Sequence, residues 1–387
     1  MIRIGIECHA METNRWGIGH HLAKLLEEIS NQSELANEFR FYLYFKSCIP
    51  DDPYLNNPIF IKKILKLPFF PPSFNIFFHI LLPLAYFRDR LKAVFFANFM
   101  LPAFFLGKSL VLLTNDVYYE YTQGQLPFRY KLAYRLFANW AAWHATRITT
   151  ISNSAKKEMV KMFKINPDRI SVNYLGIDSQ VIHTQGWTLR VDNLSIGTSY
   201  LLYVGQAFPR RRAKETIEAF AILAPKYPDL KLILVGQDKY NPPILKNLVK
   251  ETNQKLGGER IIYHNYIEKD GELQKLMAGA KLFIYLSSSE AFGLPPLEAL
   301  SAGVPPVVKE NELNRELYEG NAFYVENEKD SVQIATVLEN ALENSNRQQE
   351  IIKNADKIVS KFTWKNHAEK FLETIREIVN VKGSRGT

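Results

Sequence analysis

Short apolar segments alternate with helical segments along the whole chain, and this alternation limits the possible folds more than any other feature. Strands separated by helices pair in parallel, because each helix carries the chain back across one face of the sheet. We therefore predict an α/β fold built on parallel sheets. Strands are predicted at Ile2–Ile6, Arg40–Phe45, Ala93–Asn98, Leu110–Leu113, Arg147–Ile151, Tyr200–Val204, Lys231–Val235, Arg260–His264, Lys281–Leu286, Pro306–Lys309 and Ala322–Val325, and helices at Ile18–Ser30, Phe128–His144, Asn153–Phe163, Val332–Asn344 and Thr363–Val379.

The length of 387 residues predicts two domains, at about 100–200 residues per domain. Asp178–Gly197 interrupts the alternation, because it loses the periodic apolar pattern and gains glycine, asparagine and aspartate. We predict an N-terminal Rossmann-like domain over 1–178, a linker over 179–198, a C-terminal Rossmann-like domain over 199–362 and a C-terminal helix over 363–387. The two domains are expected to face each other across a deep cleft. Packing of the last helix on the N-terminal domain remains an open alternative.

The composition excludes several classes of protein. With 47% hydrophobic and 23% charged residues, the chain can form large cores and is not disordered. Cys8 and Cys48 are too few for a disulfide framework or a cysteine-based zinc site, which favours a reducing compartment. Arg3 and Glu7 lie where a secretory signal peptide would have its apolar stretch. We therefore expect a cytoplasmic protein.

Positive charge is concentrated in the first half of the chain. Residues 1–178 contain 21 Lys and Arg against 14 Asp and Glu, a balance of +7 out of +8 for the whole chain. Such a balance favours an anionic partner, either a nucleic acid or a membrane surface. Residues 58–106 hold 13 Phe and Tyr in apolar runs, unlike the short polar strands on which bases stack. We expect no nucleic-acid partner, and we consider peripheral contact of residues 58–106 with the inner face of the plasma membrane.

The stretch Leu67–Phe87 could in principle cross a bilayer, since it has no charged residue over 21 positions. However, Pro68, Pro71, Pro72 and Pro83 interrupt it. Three alternatives stay open: a buried helix, a buried helix that also touches a membrane, and a true span, with the buried helix favoured.

The most specific motif is Ser287–Pro305, with the sequence SSSEAFGLPPLEALSAGVP. The preceding strand delivers Glu290 into a loop at the carboxyl edge of the sheet, where doubly wound folds bind ligands. Glu298 lies about one turn into the next helix, where its carboxylate can accept two hydrogen bonds from a vicinal diol such as a ribose. Each glutamate alone is more simply explained as a solvated loop residue or a helix-end acid; the whole motif favours a function.

The same motif predicts a phosphate site. Gly293 allows backbone conformations that other residues rarely adopt. Pro295 and Pro296 suit a first helical turn, where a missing N–H costs little. The N–H groups of Phe292, Gly293 and Leu294 then lie at a helix N-terminus, where the backbone favours anions.

The two glutamates have seven residues between them, and the whole stretch resembles the signature of the retaining, nucleotide-sugar-dependent glycosyltransferases of family 4, the group 1 glycosyltransferases of GT-B fold. The resemblance implies a nucleoside-diphosphate sugar in the C-terminal domain and an acceptor in the N-terminal domain. It also implies that Glu290 contacts the donor sugar and Glu298 its ribose. They are therefore not an acid–base pair of a glycosidase.

A second segment supports the resemblance. Leu202–Gly205 followed by Pro209–Arg212 is similar to the family's strand and basic pair, which is usually Arg-Lys. Here Arg210 and Arg211 take those places, which implies that they hold the donor diphosphate. The tripeptide Val-Gly-Gln occurs twice, at 204–206 and at 235–237. Gly205 in the first copy and Lys239 just after the second are further donor-binding candidates. A solvated basic turn is the alternative for the arginines.

The N-terminal half resembles the family less closely. Trp16-Gly17-Ile18-Gly19 is similar to its glycine loop, so Gly17 and Gly19 are donor-binding candidates, with a plain helix-start turn as the alternative. Where the family has His-Asp, this chain has Asn115-Asp116. Asn115 can form hydrogen bonds with a donor sugar but cannot take a proton near neutral pH. Asp116 becomes the leading carboxylate on the acceptor side.

No metal site or cofactor is expected, because the sequence has no HExxH motif, no DxD beside a strand end and no cysteine pair. His9 and His20 are expected to be structural or solvated. The resemblance implies metal-independent, retaining transfer of a hexose from a UDP- or GDP-sugar to a saccharide or lipid-linked acceptor in polysaccharide or glycolipid biosynthesis. Two alternatives remain: a non-catalytic nucleotide-sugar-binding or partner subunit of the same fold, and a nucleotide-sugar epimerase.

Overall fold

The fold is known from a computed structural model. It describes residues 1–12, 17–67, 71, 73–114, 127–178, 190–191, 194–195, 199–267 and 271–380. The chain forms two compact units: Met1–Gly176 together with the segment that begins at Thr363, and Ile177–Phe362. Most of the predicted linker 179–198 lies outside the described residues. Its described part is a short antiparallel strand pair, Arg190–Val191 (β8) and Leu194–Ser195 (β9).

A parallel sheet of seven strands forms the centre of the first unit. Its strand order is β3-β2-β1-β4-β5-β6-β7. The chain starts in the middle, moves outward through β2 and β3, and then crosses to the other side of β1 to form β4, so β1 and β4 border the topological switch point. The strands are β1 (Ile2–Glu7), β2 (Phe39–Phe45), β3 (Phe60–Ile64), β4 (Ala93–Phe96), β5 (Ser109–Leu112), β6 (Arg147–Thr150) and β7 (Ile170–Val172).

Amphipathic helices cover this sheet. In α1 the buried residues Leu22, Leu25, Leu26 and Ile29 recur at helical spacing, which explains its packing on the sheet. The helices before the C-terminal one are α1 (Ile18–Ser30), α2 (Leu35–Glu38), α3 (Phe74–Ile76), α4 (Leu82–Arg88), α5 (Phe128–His144) and α6 (Asn153–Phe163), with 3₁₀ turns at His9–Met11, Pro53–Asn56 and Pro167–Arg169.

A π-helical turn, Phe77–Leu81, joins α3 to α4. Pro83 follows immediately, near the start of α4, where its missing N–H and its ring would disturb a regular α-helical turn. Phe77 and Phe78 in this turn are buried in the core of the first unit. The described part of Leu67–Phe87 thus contains a helix with one buried face, as the first two of the three alternatives predict, while Ile80, Leu84 and Phe87 on its other side are exposed. Among the described residues, no helix has both the length and the apolarity that crossing a membrane requires.

The second unit has its own parallel sheet, with strand order β12-β11-β10-β13-β14-β15. The strands are β10 (Tyr200–Val204), β11 (Lys231–Val235), β12 (Ile261–His264), β13 (Leu282–Tyr285), β14 (Pro306–Lys309) and β15 (Phe323–Val325). The helices are α7 (Ala213–Leu223), α8 (Leu245–Lys255), α9 (Glu272–Ala278), α10 (Leu294–Ser301), α11 (Glu312–Tyr318), α12 (Ser331–Glu343), α13 (Ser345–Lys353) and α14 (Ala355–Val359), with 3₁₀ turns at Pro209–Arg211 and Ala224–Lys226.

The last helix, α15 (Trp364–Asn380), belongs to the first unit and packs on α1, β4 and β5. Its Phe371 ring lies 5.0 Å from that of Phe95 on β4. The imidazoles of His21 and His367 meet in the buried interface with 2.7 Å between their Nε2 atoms. The apolar face of α15 therefore completes the core of the first unit.

The chain leaves and re-enters the first unit at adjacent places. A Cβ atom on Gly176 would lie 2.3 Å from the backbone nitrogen of Trp364, so only glycine fits there. Next to this contact, the N–H of Ile177 donates to the carbonyl of Phe362 at 3.0 Å.

The α/β prediction is confirmed, since both large sheets are parallel and helices connect their strands. The predicted strands match within two residues at each end, and the five predicted helices match within one. β3 was missed as a strand. β3, with the sequence FIKKI, contains two adjacent lysines and lies at the sheet edge, so it lacks the apolar run of a central strand.

Candidate functional site

Glu290 is the centre of a partly buried hydrogen-bond network after β13. Its carboxylate accepts hydrogen bonds from Nε of Arg211 at 2.6 Å, from the Tyr285 hydroxyl at 3.0 Å and from the Ser287 hydroxyl at 2.9 Å. Nη2 of Arg211 donates to the second carboxylate oxygen at 3.3 Å. The guanidinium therefore binds the carboxylate through two nitrogens, a geometry specific to arginine.

This network controls the charge of Glu290. Burial by itself would raise the pKa of the carboxyl group, but the nearby Arg211 and Arg210 and the hydrogen bonds from Arg211 and Ser287 outweigh burial and lower the pKa. Glu290 is therefore ionised at neutral pH. It can accept a hydrogen bond from a ligand hydroxyl, but it has no proton to give.

The loop after β10 positions Arg211. The 3₁₀ turn Pro209–Arg211 ends at Arg212, whose φ of 56° is left-handed. Gly205 at the end of β10 has a φ of 142°, and a Cβ there would lie 3.3 Å from Nη1 of Arg211. Glycine at 205 thus serves two purposes: it adopts a conformation that other residues rarely reach, and it leaves room for the guanidinium.

The second predicted cation, Arg210, supports the loop that carries Glu290. The side chain is buried, and its Nε donates to the Ser289 carbonyl at 3.2 Å. Its own carbonyl accepts from the N–H of Ser288 at 2.9 Å. Arg210 thus connects the loop after β10 to the loop after β13, and any contact with a diphosphate must come from its other guanidinium nitrogens.

A third arginine, which the sequence analysis did not select, extends the same network. Arg212 donates from Nη2 to the Ser288 hydroxyl at 2.9 Å and to the buried carboxylate of Glu328 at 3.4 Å. Lys309 also pairs with Glu328. No local signal in the sequence connects residues this far apart, so only the fold could reveal the cluster.

The helix that follows Glu290 begins as the sequence predicts. Gly293 precedes α10 with a φ of 94°, and Leu294 is the first helical residue. A Cβ on Gly293 would meet nothing within 4 Å, so the backbone conformation, not crowding, requires glycine here. Phe292 is buried, with its ring 5.5 Å from that of Phe362. A small pocket borders this helix start, and its lining includes Tyr285, Ser287, Glu290, Phe292, Gly293 and Asn314.

Glu298 lies four residues into α10 and differs from Glu290. Burial, with a smaller effect of the nearby Asp178, raises its pKa to about 7. Within the part of the chain that the structure describes, its carboxylate makes no hydrogen bond or ion pair. A carboxylate that is desolvated without donors is costly, which is the expected condition of a group that waits for ligand hydroxyls.

The two Val-Gly-Gln tripeptides lie side by side at the carboxyl ends of β10 and β11. A Cβ on Gly236 would be 1.9 Å from the carbonyl oxygen of Gly205, so the two turns touch through their glycines. Lys239 follows the second turn, half-buried, with its N–H bonded to the Ala207 carbonyl at 3.2 Å. Lys239 is thereby held beside the loop that carries the arginines.

In the first unit, Gly17 has a φ of 56° and precedes α1, while Gly19 is buried within the first turn of that helix. Asn115 and Asp116 lie outside the described residues, so their predicted roles stay predictions. In the described ranges, no three His, Cys, Asp or Glu side chains come close enough together to hold a metal ion.

Part of the chain matches a known protein family. Residues 189–358 match the family model described as glycosyl transferases group 1. Over 171 residues the chain is 33% identical to the O-antigen chain mannosyltransferase B of Escherichia coli, covering 42% of this chain and 43% of that protein. It is 24% identical over 214 residues to the lipopolysaccharide glucosyltransferase WaaG of E. coli K12, covering 51% of this chain and 55% of WaaG. These alignments therefore span about half the length of each relative.

Solved structures share the fold over nearly the whole chain. The crystal structure of WaaG, a glycosyltransferase involved in lipopolysaccharide biosynthesis, superposes with a TM-score of 0.69 at 18% identity, covering 97% of this chain and 99% of that one. Alr3699/HepE of Anabaena, in complex with UDP and glucose, superposes with a TM-score of 0.70 at 17% identity, covering 97% and 100%. The fold is thus that of GT-B glycosyltransferases.

Proposed function

We propose that this protein is a glycosyltransferase of group 1, the family whose model matches residues 189–358, and that it transfers a hexose from a nucleoside-diphosphate sugar to a saccharide or lipid-linked acceptor, with retention of anomeric configuration. The observation that carries the proposal is the pairing of two unlike glutamates at one helix start. Glu290 is held ionised by Arg211, and Glu298 is half-buried and has no hydrogen-bond donor among the described residues. Such a pair suits two sets of ligand hydroxyls, those of the sugar and those of the ribose.

In this proposal the donor is held from three sides. Glu298 accepts hydrogen bonds from the ribose, the N–H groups before α10 bind the diphosphate, and Glu290 accepts a hydrogen bond from the hexose. Arg211, with Arg210 and Lys239, stabilises the negative charge that develops on the departing diphosphate. The leaving phosphate oxygen takes the proton of the acceptor hydroxyl as the new glycosidic bond forms. Because the chain's own cations neutralise the diphosphate, the proposed reaction uses no metal ion or cofactor.

The names of related proteins support a nucleotide-sugar donor without choosing its base. O-antigen chain mannosyltransferase B and lipopolysaccharide glucosyltransferase WaaG are named for different sugars, and solved structures of HepE contain UDP or UDP-glucose. We propose a UDP- or GDP-sugar as donor. Their names refer to the O-antigen chain and to lipopolysaccharide. We therefore propose a role in polysaccharide or glycolipid biosynthesis for this chain.

Thermal unfolding in the presence of a panel of UDP- and GDP-sugars is expected to identify the donor. The matching nucleotide sugar should stabilise the protein by about 2.7 kcal/mol when its concentration is 100 times its dissociation constant. The free hexoses, which lack the ribose and the diphosphate, serve as controls and should have no effect. If no nucleotide raises the melting temperature, the proposed donor site is wrong.

The competing proposal, a non-catalytic binding or partner subunit, rests on Asn115 in place of the family's histidine. Both proposals predict nucleotide binding, but only the enzyme releases free nucleotide in step with glycosylation of an acceptor. The intact Arg211–Glu290 pair favours the enzyme. An assay of nucleotide release with and without acceptor therefore separates the two proposals.

We further propose that the acceptor is presented at a membrane surface. The expectation that the aromatics of residues 58–106 would form the contact needs a correction. Of the eleven that the structure describes, five are buried, namely Phe60, Phe77, Phe78, Phe95 and Phe96, and two, Phe87 and Phe104, are exposed. Two of the lysines and arginines in this segment, Lys63 and Arg88, pair with Asp89 and so contribute less net charge.

Exposed apolar side chains lie instead on a few adjoining elements. The ring of Phe137 on α5 is 5.8 Å from that of His79, so α5 and the π-helical turn are neighbours. Helix α5 has no acidic residue and carries Arg129, Lys131 and Arg135, so cationic side chains accompany its exposed apolar ones, as suits an anionic membrane surface. We define the α5 patch as the exposed residues Ile80, Leu84, Phe87, Phe104, Leu106, Phe128, Leu132, Leu136 and Trp143.

Replacing Leu132 and Leu136 together by glutamate is expected to abolish sedimentation with phosphatidylglycerol-containing vesicles. The wild-type protein should pellet at low salt and less at physiological salt, because a basic residue near an anionic surface contributes about 1 kcal/mol, screened by ions. The matched control is Ile222→Glu, which changes an equally exposed apolar residue in the second unit. A wild-type protein that stays in the supernatant at low salt contradicts the membrane proposal.

A further inference from the structure

A polar cluster lies at the switch point of the first sheet, outside the donor site. Strand β1 ends at Glu7, and β4, which pairs with β1, is followed closely by Asn98. In parallel sheets ligands bind at the carboxyl ends of the strands on either side of such a point, because the chain departs in opposite directions there and leaves a crevice. The location alone makes the groups on β1 and after β4 candidates for ligand contact.

Glu7 is almost fully buried, and both of its carboxylate oxygens have fixed donors. The N–H of His9 donates to one oxygen at 2.8 Å, and the Asn98 amide donates to the other at 3.1 Å. Asn98 is itself fixed, since its side-chain oxygen accepts from the N–H of Met100 at 2.9 Å. Burial nevertheless raises the pKa of Glu7 to about 7. The two hydrogen bonds thus hold the Glu7 carboxyl group in one orientation. Its charged form lowers the stability of the folded protein, because the group is buried.

The His9 ring lies over this carboxyl group. Its Nδ1 is 3.6 Å from the nearer carboxylate oxygen of Glu7, and within the described residues it has no hydrogen-bond partner. The ring packs on Phe74, with 4.9 Å between centroids. Nδ1 is fully buried, yet 34% of the side chain is exposed, so the exposed part of the ring is the edge away from Nδ1.

These positions determine which hydrogen bonds the His9 imidazole can form with a ligand. Burial, with a smaller effect of Lys46, lowers the pKa of His9, so the ring is neutral at neutral pH. In a neutral imidazole one nitrogen donates and the other accepts. A carboxylate beside Nδ1 favours the proton there, which leaves Nε2 as an acceptor on the exposed side.

We propose that Nε2 of His9, oriented by Glu7 and Asn98, accepts a hydrogen bond from a hydroxyl of the saccharide acceptor. The acceptor class rests on the proposed function; the site itself does not. His9 is a binding residue in this proposal, whereas Glu7 and Asn98 are positioning residues. The adjacent Phe74 gives the site an apolar side against which a sugar ring can pack. This proposal gives His9 a role beyond the structural or solvated one that the sequence predicts.

NMR titration of the full-length protein tests the site without any requirement for catalysis. The probes are octyl α-mannoside, octyl β-glucoside, octyl β-galactoside and octyl N-acetyl-β-glucosaminide, observed through the imidazole resonances. At least one glycoside should shift the His9 resonance, and His9→Ala should weaken its binding about 2- to 13-fold, the range for one hydrogen bond. Glu7→Gln, which keeps the shape of the side chain, should weaken it less.

Two controls make the result specific. His144→Ala removes an exposed histidine on α5 and should leave glycoside binding unchanged. The melting-temperature rise caused by the nucleotide donor should be the same in the His9→Ala variant and the wild type, which a general loss of structure would not allow.

The possible outcomes separate the two proposals. The inference is overturned if none of the glycosides moves the His9 resonance, or if His9→Ala binds the active glycoside within twofold of the wild type. If glycosides bind through His9 but no nucleotide sugar is bound or consumed, the proposed function fails while the site stands. If transfer occurs, His9→Ala should raise the Michaelis constant for the acceptor and leave that for the donor unchanged.

Discussion

Replacing Arg211 by methionine is expected to reduce hexose transfer by about 10²- to 10³-fold, the usual effect of removing one group that stabilises developing charge. The same change should lower the free energy of unfolding by roughly 3–5 kcal/mol, because it leaves Glu290 buried without its charged partner. Only 17% of the Arg211 side chain and 14% of the Glu290 side chain are exposed, so solvent screens this pair weakly. Denaturant unfolding and nucleotide release measure the two effects separately.

A second variant distinguishes a chemical role of Arg211 from a structural one. Arg211→Met combined with Glu290→Gln removes both charges of the buried pair and should recover most of the lost stability but none of the lost activity. Arg315→Met is the matched control, since Arg315 and Glu310 form a half-exposed pair whose loss should change stability by no more than about 1 kcal/mol. Near-normal turnover of Arg211→Met would show that Arg211 forms only part of a structural turn, and Lys239 would become the candidate cation.

Glu298→Gln is expected to weaken the binding of the nucleotide donor by roughly 10- to 150-fold, the equivalent of 1.5–3 kcal/mol for hydrogen bonds to a charged group. Inorganic diphosphate, which has no ribose, should bind the variant and the wild type equally. Glu326→Gln, at an exposed position in the same unit, is the matched control. Unchanged nucleotide affinity in Glu298→Gln would contradict the assignment of Glu298 to the ribose.

Without ligand, Glu298→Gln is expected to stabilise the protein, although it weakens donor binding. The pKa of Glu298 is raised to about 7 from an ordinary value of 4.5, so the folded state binds more protons than the unfolded state between these pH values. This contribution to stability is fully present below pH 4.5 and is lost as the pH rises through 7. Glu298→Gln should therefore be more stable than the wild type at pH 8 without ligand, although it binds the donor more weakly.

The sequence predicts those parts of the site that depend on neighbours along the chain. Gly293 must adopt a positive φ, the prolines fit the first turn, and Glu298 follows one turn later, so the helix start could be predicted from local rules. Glu290 was placed in the correct loop for the same reason.

The parts that depend on the fold could not be predicted in this way. Arg212, Ser288 and Glu328 meet only because three loops converge at one edge of the sheet. Equally, composition could not tell that Phe77 and Phe78 point into the core while Phe87 is exposed, because the π-helical turn changes the helical phase between them. Aromatic content alone therefore could not predict which side chains of residues 58–106 are exposed.

The adjacent exit and entry of the chain at Gly176 and Trp364 have a consequence for how such a protein can be divided. Topologically, residues 177–362 are an insertion into a host domain that is itself discontinuous. A fragment that stops at residue 176 lacks α15 and would expose the apolar surface on α1 and β4 that this helix covers. The insert, in contrast, begins and ends with hydrogen-bonded neighbours, Ile177 and Phe362. It could therefore be exchanged as a cassette between relatives, changing the donor while the host domain keeps its core.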